Sequence, residues 1–247
     1  MPQIIGIIPA RYASSRFPGK PLVDIGGKPM IQRVYEQCLK SRQLDQVMVA
    51  TDDGRIAEAV RNFGGEVAMT SSQHPSGTDR IAEVAKSMAE DTILVNIQGD
   101  EPFINPKTID QLIELMIETA APIGTAAIPL TDPKAIFDPN VVKVVFSRKQ
   151  SALYFSRSPI PYQRNVSKES WLEKGQFYKH IGIYAFRQKA LQSVSKAEPE
   201  ALERQESLEQ LRWLALGYDI KIVLTDQESI GIDSPEDLKK IKPYIND

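Results

Sequence analysis

Ile4-Ile5-Gly6-Ile7-Ile8-Pro9, followed by Ala10-Arg11-Tyr12-Ala13-Ser14-Ser15-Arg16-Phe17-Pro18-Gly19-Lys20, is the stretch on which the reading of the whole chain turns. The first segment reads as a buried strand and the second as a loop rich in small residues and cations. In an open α/β sheet, ligands bind beyond the carboxyl ends of the strands, so a nucleotide phosphate chain is expected at this loop. Arg11, Arg16 and Lys20 supply fixed positive charge, while Ala10, Ala13, Ser14, Ser15 and Gly19 let backbone N–H groups approach phosphate oxygens. The sequence lacks GxxxxGK[ST], so this is not a Walker loop. A solvated basic turn is the competing reading; cations crowded directly after a buried strand, with Pro18-Gly19 shaping the turn, favour phosphate.

Working outward, apolar runs at Val47–Ala50, Glu66–Met69 and Ile93–Ile97 alternate with helical periodicity near residues 28–40, 54–63 and 78–89. That order predicts right-handed crossovers and a largely parallel sheet. Pro29 marks the start of the first helix, whose buried stripe is Ile31, Val34, Tyr35 and Cys38. Asn105-Pro106 opens another helix, with Ile109, Leu112, Ile113 and Met116 facing inward. After about residue 122 the pattern changes. Ile123–Pro129, Val141–Phe146, Ala152–Phe155 and His180–Phe186 are strand-like without crossover helices between the middle runs, and a polar stretch spans 156–176. Part of this region is expected to be antiparallel, an inserted arm or lobe for a second substrate or a dimer contact. A helix near 200–216, a strand at Ile220–Leu224 and a helix from Pro235 return to α/β habits. The expectation is a single domain over 1–247, with a nucleotide-binding half to about 122, a sugar-binding and dimerisation region over 123–217, and a C-terminal return over 218–247.

Composition bounds the function. At 247 residues and 42% hydrophobic content, one large core is possible. The 30 basic and 32 acidic residues give a net charge of −2, so there is no nucleic-acid footprint and any phosphate site must be local. Cys38, the only cysteine, is expected to be a buried, inert thiol. No secretory signal pattern is present, and no apolar run approaches the ~20 residues that span a bilayer. A cytoplasmic protein is expected.

Three further segments carry chemistry. Gln98-Gly99-Asp100-Glu101-Pro102 ends a buried strand on the same sheet edge as the first loop, and Asp100 is a candidate ligand for Mg²⁺, which one or two carboxylates and substrate phosphates usually hold. Gly231-Ile232-Asp233-Ser234-Pro235-Glu236-Asp237 reads as a helix start, with Ser234 as N-cap and Asp237 completing a capping-box pattern. That explains Ser234 and Pro235 but not Asp233. Ser76-Gly77-Thr78-Asp79-Arg80 is a small-residue turn that starts a helix and offers N–H groups. His74 and His180 are too far apart, and too poor in cysteine company, for a zinc site. Glu209-Gln210 would ordinarily be a solvated helix face.

Taken together, these segments resemble the 3-deoxy-D-manno-octulosonate (Kdo) cytidylyltransferases. The resemblance runs essentially end to end: residues 7–16 continuing through Pro18-Gly19-Lys20-Pro21-Leu22, residues 76–80, 98–102 and 152–157, His180-Ile181-Gly182-Ile183-Tyr184, Leu208-Glu209-Gln210-Leu211-Arg212 and residues 231–238. It implies a Rossmann-like nucleotidyltransferase with a mostly parallel mixed sheet and an inserted antiparallel arm, acting as a homodimer. The implied reaction couples CTP to Kdo, giving CMP-Kdo and pyrophosphate for lipopolysaccharide assembly. By the same resemblance, Arg11, Arg16 and Lys20 hold the triphosphate, and Ala10, Ser76, Gly77, Arg80 and Gln98 surround cytosine and ribose. Asp100 and Asp233 are the implied Mg²⁺ ligands. Arg16, Lys20, Asp100 and Asp233 form the implied catalytic set, and Arg157, Arg164, His180, Tyr184, Glu209 and Gln210 the sugar-acid contacts.

Asp79 stands where the family commonly has Glu, and Tyr162-Gln163 where it commonly has Trp-Asp. An amino-substituted Kdo analogue therefore stays open as acceptor. So do a related sugar nucleotidyltransferase, using sialic acid or UTP, and a nucleotide-binding module without turnover. Two metal-capable carboxylates beside a full basic loop argue against the last.

Overall fold

The structure is a computed structural model that describes residues 2–13, 17–227, 229, 231–232, 234–239 and 241. The elements run β1 (Ile4–Ala10), α1 (Met30–Cys38), β2 (Gln46–Thr51), α2 (Gly54–Asn62), β3 (Glu66–Met69), α3 (Gly77–Val84), β4 (Ile93–Asn96), α4 (Pro106–Thr119) and β5 (Ile123–Pro129). Then follow α5 (Pro133–Phe137), β6 (Lys143–Phe146), β7 (Ala152–Ser156), α6 (Trp171–Lys174), β8 (Tyr178–Arg187), α7 (Gln188–Val194), α8 (Ala201–Glu206), α9 (Gln210–Ala215) and β9 (Ile220–Leu224).

One sheet of nine strands carries the fold, in the order β3-β2-β1-β4-β8-β5-β9, with β6 pairing β7 and β8. β1, β2, β3 and β4 pair in parallel, as do β5 and β9. β8 runs antiparallel between β4 and β5. Helices cover both faces, and β1 shows why its sequence has no polar alternation. Ile4, Ile8 and Ala10 pack on one face with Ile31, Val34, Ile56 and Leu112, while Ile5 and Ile7 pack on the other with Ile81, Leu191 and Trp213. Cys38 is wholly buried in the first layer, and burial pushes its thiol pKa up, so it stays protonated and unreactive.

The expected strands are present, several to the residue, but three features differ. Only part of 123–217 stands off the main strand order: β5 and β8 lie within it, while the β6–β7 hairpin branches from β8 and packs Val144, Ala152 and Phe155 into the second core layer, leaving the 156–176 stretch as the arm. That stretch is polar but not coreless, because Trp171 packs with Ile136 and Phe177 in a small cluster of its own. The helix expected over 200–216 is two helices, α8 and α9, broken at Ser207, whose φ is 52°. Arg157 bonds the carbonyls of Glu206 and Ser207 at this break, and Leu208 turns into the core. From Pro235 the described residues form a short 3₁₀ turn, Pro235–Lys239; Ser234 N–H donates to the Asp237 carboxylate at 3.0 Å, the reciprocal half of the capping-box pattern.

β8 matters most for the site. Thr125 pairs with Tyr184 but Ala126 pairs with Ile181, so Gly182 and Ile183 are looped out of register as a bulge. Residues four apart along a regular strand are separated by roughly 13 Å. Here the His180 and Tyr184 rings lie with centroids 5.3 Å apart. His180 also meets Phe155 edge-on at 4.9 Å, and burial pushes its imidazole pKa down to about 3. An unfolded imidazole takes up its proton near pH 6.5. Between those values the unfolded chain binds more protons, so stability present above about pH 6.5 is lost as pH falls through the window. From about pH 6.5 to 5 the loss assigned to this ring is about 2 kcal/mol. Urea unfolding across that range should therefore show a steeper pH slope for the wild type than for His180→Gln; equal slopes would contradict the buried neutral histidine.

Candidate functional site

β1 is the point at which the sheet reverses direction: the chain leaves it towards β2 and β3, then returns across α3 to β4 on its other side. Crevices form where strand order reverses in this way. β1 and β4 end side by side, and the turn after β4 passes so close that a Cβ on Gly99 would lie 2.9 Å from the Pro9 carbonyl oxygen. Only glycine permits that approach. Above it lies a cavity of about 250 Å³ lined by Ala10, Arg11, Lys20, Ser76, Gly77, Arg80, Gln98 and Asp100. The first loop, the start of α3 and the acidic turn are thus brought together as the sequence suggests. His74 and Pro75 join them, unanticipated.

The loop after β1 is braced from within. Gly19, with φ 71°, donates its N–H to the Tyr12 carbonyl at 3.0 Å, and the Arg55 guanidinium lies 3.3 Å from the centroid of the Tyr12 ring. That sets Lys20 at the base of the cleft. Its Nζ donates to Asp100 Oδ2 at 2.7 Å and to the Ile232 carbonyl at 2.9 Å. Ile232 N–H in turn donates to the Asp100 carbonyl at 2.9 Å, so the C-terminal segment is tied to the β4 turn. Arg16 and Asp233 lie outside the described residues, as do Ser14 and Ser15; Asp233 follows Ile232 directly in the chain. Glu101 has its carboxyl pKa pushed up to about 7, by burial and then by the neighbouring Asp100 charge.

The opposite wall is the start of α3. Ser76 is its N-cap, accepting from Asp79 N–H, and its hydroxyl meets the Asp79 carboxylate at 2.7 Å. Arg80 is almost wholly buried: its guanidinium pairs with Asp52 at 3.1 Å and bonds Thr70, which fixes its place beside the cavity. Asp52 follows the end of β2, so the rule that flagged Asp100 would also have found it.

Glu209 is not on a solvated face. Its carboxylate lies 3.1 Å from Ser76 Oγ and accepts from Thr78 Oγ1 at 2.8 Å, and Arg212 pairs with it at 3.1 Å. Burial raises its pKa, opposed by those two hydroxyls and the arginine. Gln210 is buried at the first position of α9. His180 and Tyr184 stand together on β8, and Gln98 Nε2 donates to Gly182 O at 3.0 Å, which joins the nucleotide-side wall to the β8 bulge. Arg157 is committed to carbonyls of Glu206, Pro139 and Ser207. Arg164 is exposed and does not line the cavity. Tyr162 packs edge-on against Trp171 and Gln163 Nε2 donates to the Trp171 carbonyl at 2.6 Å, so both serve the arm's small core.

Among the described residues no cluster of three or more His, Cys, Asp or Glu side chains forms a metal cage, and no helix is long and apolar enough to cross a membrane. A family model described as "Cytidylyltransferase" matches residues 5–222. The chain is 51% identical to a Parabacteroides distasonis protein named 3-deoxy-manno-octulosonate cytidylyltransferase, over 99% of each chain. It is 48% identical to a Thermodesulfovibrio yellowstonii protein of the same name, over 98% of each. A solved structure of CMP:2-keto-3-deoxy-manno-octonic acid synthetase complexed with CTP superposes with a TM-score of 0.91 at 44% identity, covering 98% of each chain. A 4-diphosphocytidyl-2C-methyl-D-erythritol synthase shares the fold, with a TM-score of 0.66 at 14% identity over 100% of this chain and 99% of that one. The cleft at the strand reversal and the full-length identity agree: this chain belongs to the 3-deoxy-manno-octulosonate cytidylyltransferase family.

Proposed function

We propose that this chain transfers CMP from CTP to the anomeric hydroxyl of Kdo, releasing pyrophosphate, with Mg²⁺ as cofactor, and that it does so as a cytoplasmic homodimer serving lipopolysaccharide assembly. The observation that carries the reading is Lys20, held between Asp100 and the Ile232 carbonyl at the base of the cleft, in a chain 44% identical to a CTP-complexed synthetase. The expected dimer contact belongs to the β6–β7 hairpin and the stretch after it, where Leu153 on β7 is 61% exposed.

The donor set suits Mg²⁺. Asp100 offers hard carboxylate oxygens and Asp233 follows a residue bonded to Asp100, a set that phosphate oxygens and water would complete around such a cation. When bound there, the cation would neutralise triphosphate charge and acidify an oxygen nucleophile. The chain's own residues position and neutralise. Arg11, Arg16 and Lys20 take the triphosphate, and Lys20 stabilises the charge that develops on leaving pyrophosphate. Ala10, Ser76, Gly77, Arg80 and Gln98 enclose the nucleoside. The sugar acid lies against His180, Tyr184, Glu209 and Gln210, with Arg157 and Arg164 on the arm side. The anomeric hydroxyl attacks the α-phosphorus; a new O–P bond forms as the bond to pyrophosphate breaks. His180, neutral down to about pH 3, is a poor proton acceptor for this step.

Pyrophosphate release with Mg²⁺, CTP or UTP and a panel of keto-sugar acids, amino-substituted Kdo included, tests the assignment. CTP with Kdo should be preferred over UTP by about 10⁴-fold or more, the discrimination of a site that hydrogen-bonds the exocyclic amine; equal use of UTP would refute it. Asp100→Asn should abolish turnover while circular dichroism and the urea midpoint stay close to wild type. Near-normal CMP-sugar formation by that variant would remove Asp100 from the metal site.

A further inference from the structure

Side chains meet three consecutive carbonyls at the β8 bulge. Gln98 Nε2 donates to Gly182 O at 3.0 Å, and Thr125 Oγ1 lies 2.7 Å from Ile183 O and 3.3 Å from Ile181 O. The same hydroxyl lies 2.9 Å from His180 Nε2. A threonine hydroxyl has one proton, and carbonyl oxygens can only accept. An O···O separation of 2.7 Å requires that proton to lie between the two oxygens. Thr125 therefore donates to the strand and can only accept from the imidazole, which must carry hydrogen on Nε2.

We propose that Thr125 is a positioning residue: it fixes His180 as the Nε2–H tautomer, so that Nδ1 presents a permanent lone pair to a hydroxyl of the sugar acid. The proposal rests on the assignment of His180 to the sugar wall made above. Among the described residues no donor bonds to Nδ1. Phe155 and Tyr184 hold the ring from two sides at 4.9 and 5.3 Å between centroids, so the tautomer sets what the site can recognise. The ring accepts from a hydroxyl or an ammonium group and gains nothing from an ether or a deoxy position. A histidine that served packing alone would be indifferent to which nitrogen holds the proton.

The chain has only two histidines, so nitrogen-15 histidine labelling of the full-length protein gives a ring spectrum of two residues. In the substrate-free wild type, His180 should show a protonated Nε2 and an unprotonated Nδ1. Thr125→Ser should keep that pattern. Thr125→Val should mix the tautomers and raise the KM for Kdo about tenfold, with the KM for CTP within about twofold, the loss of one neutral hydrogen bond. An Nδ1–H ring in the wild type overturns the proposal, as does a Thr125→Val protein with unchanged tautomer and KM. If the valine variant does not fold, the wild-type spectrum still decides. The expected tautomer combined with a His180→Gln enzyme of unaltered KM for Kdo would instead overturn the placement of the sugar on this wall.

Discussion

The ion pair between Lys20 and Asp100, closed by the Ile232 carbonyl, is the contact around which the site is organised. It joins segments far apart in sequence: the loop after β1, the turn after β4 and the C-terminal return. Its net contribution to stability is small, since partly exposed pairs give about 0–1 kcal/mol. Its importance is electrostatic. A lysine and a carboxylate that neutralise one another are stable at the base of an otherwise open cleft, and a triphosphate with its cation can replace each partner with a stronger one. In the proposed reaction, phosphate oxygens would take the ammonium group and leave the Asp100 carboxylate to hold a cation.

The two walls of the cleft are not independent. Gln98, on the nucleotide side, holds the Gly182 carbonyl of the bulge that brings His180 and Tyr184 together. Glu209, expected among the sugar contacts, meets both hydroxyls at the start of α3. Arg212 anchors that carboxylate, pairing also with Glu203 at 3.0 Å. In the proposed reaction, ordering of α3 by the nucleotide reaches the sugar wall through hydrogen bonds already formed.

Much of this was legible in the sequence because it depends on local patterns. A strand buried on both faces has to be apolar nearly throughout, which marked β1 to within one residue, and the apolar runs marked β3, β5 and β9 to the residue. Strand-end logic singled out Arg11, Lys20 and Asp100, since topology fixes which loops share a sheet edge; Gln98 came from the family resemblance. What escaped depends on contacts between distant segments. The break between α8 and α9 has no helix-breaking residue and is held by Arg157, some fifty positions earlier. The bulge in β8 needs Thr125 on another strand, and no periodicity announces it. Trp171 gave a core to a stretch whose composition is polar. The roles of Arg16 and Asp233, which lie outside the described residues, rest on the family resemblance.

The most direct test of the account is a crystal structure of the protein with CTP, Mg²⁺ and no sugar acid. The account predicts Lys20 Nζ on a phosphate oxygen, its bond to Asp100 broken, and the Asp100 and Asp233 carboxylates sharing the cation-bound triphosphate. A triphosphate bound elsewhere with the Lys20–Asp100 pair intact, or Asp233 turned away from the cleft, would contradict it.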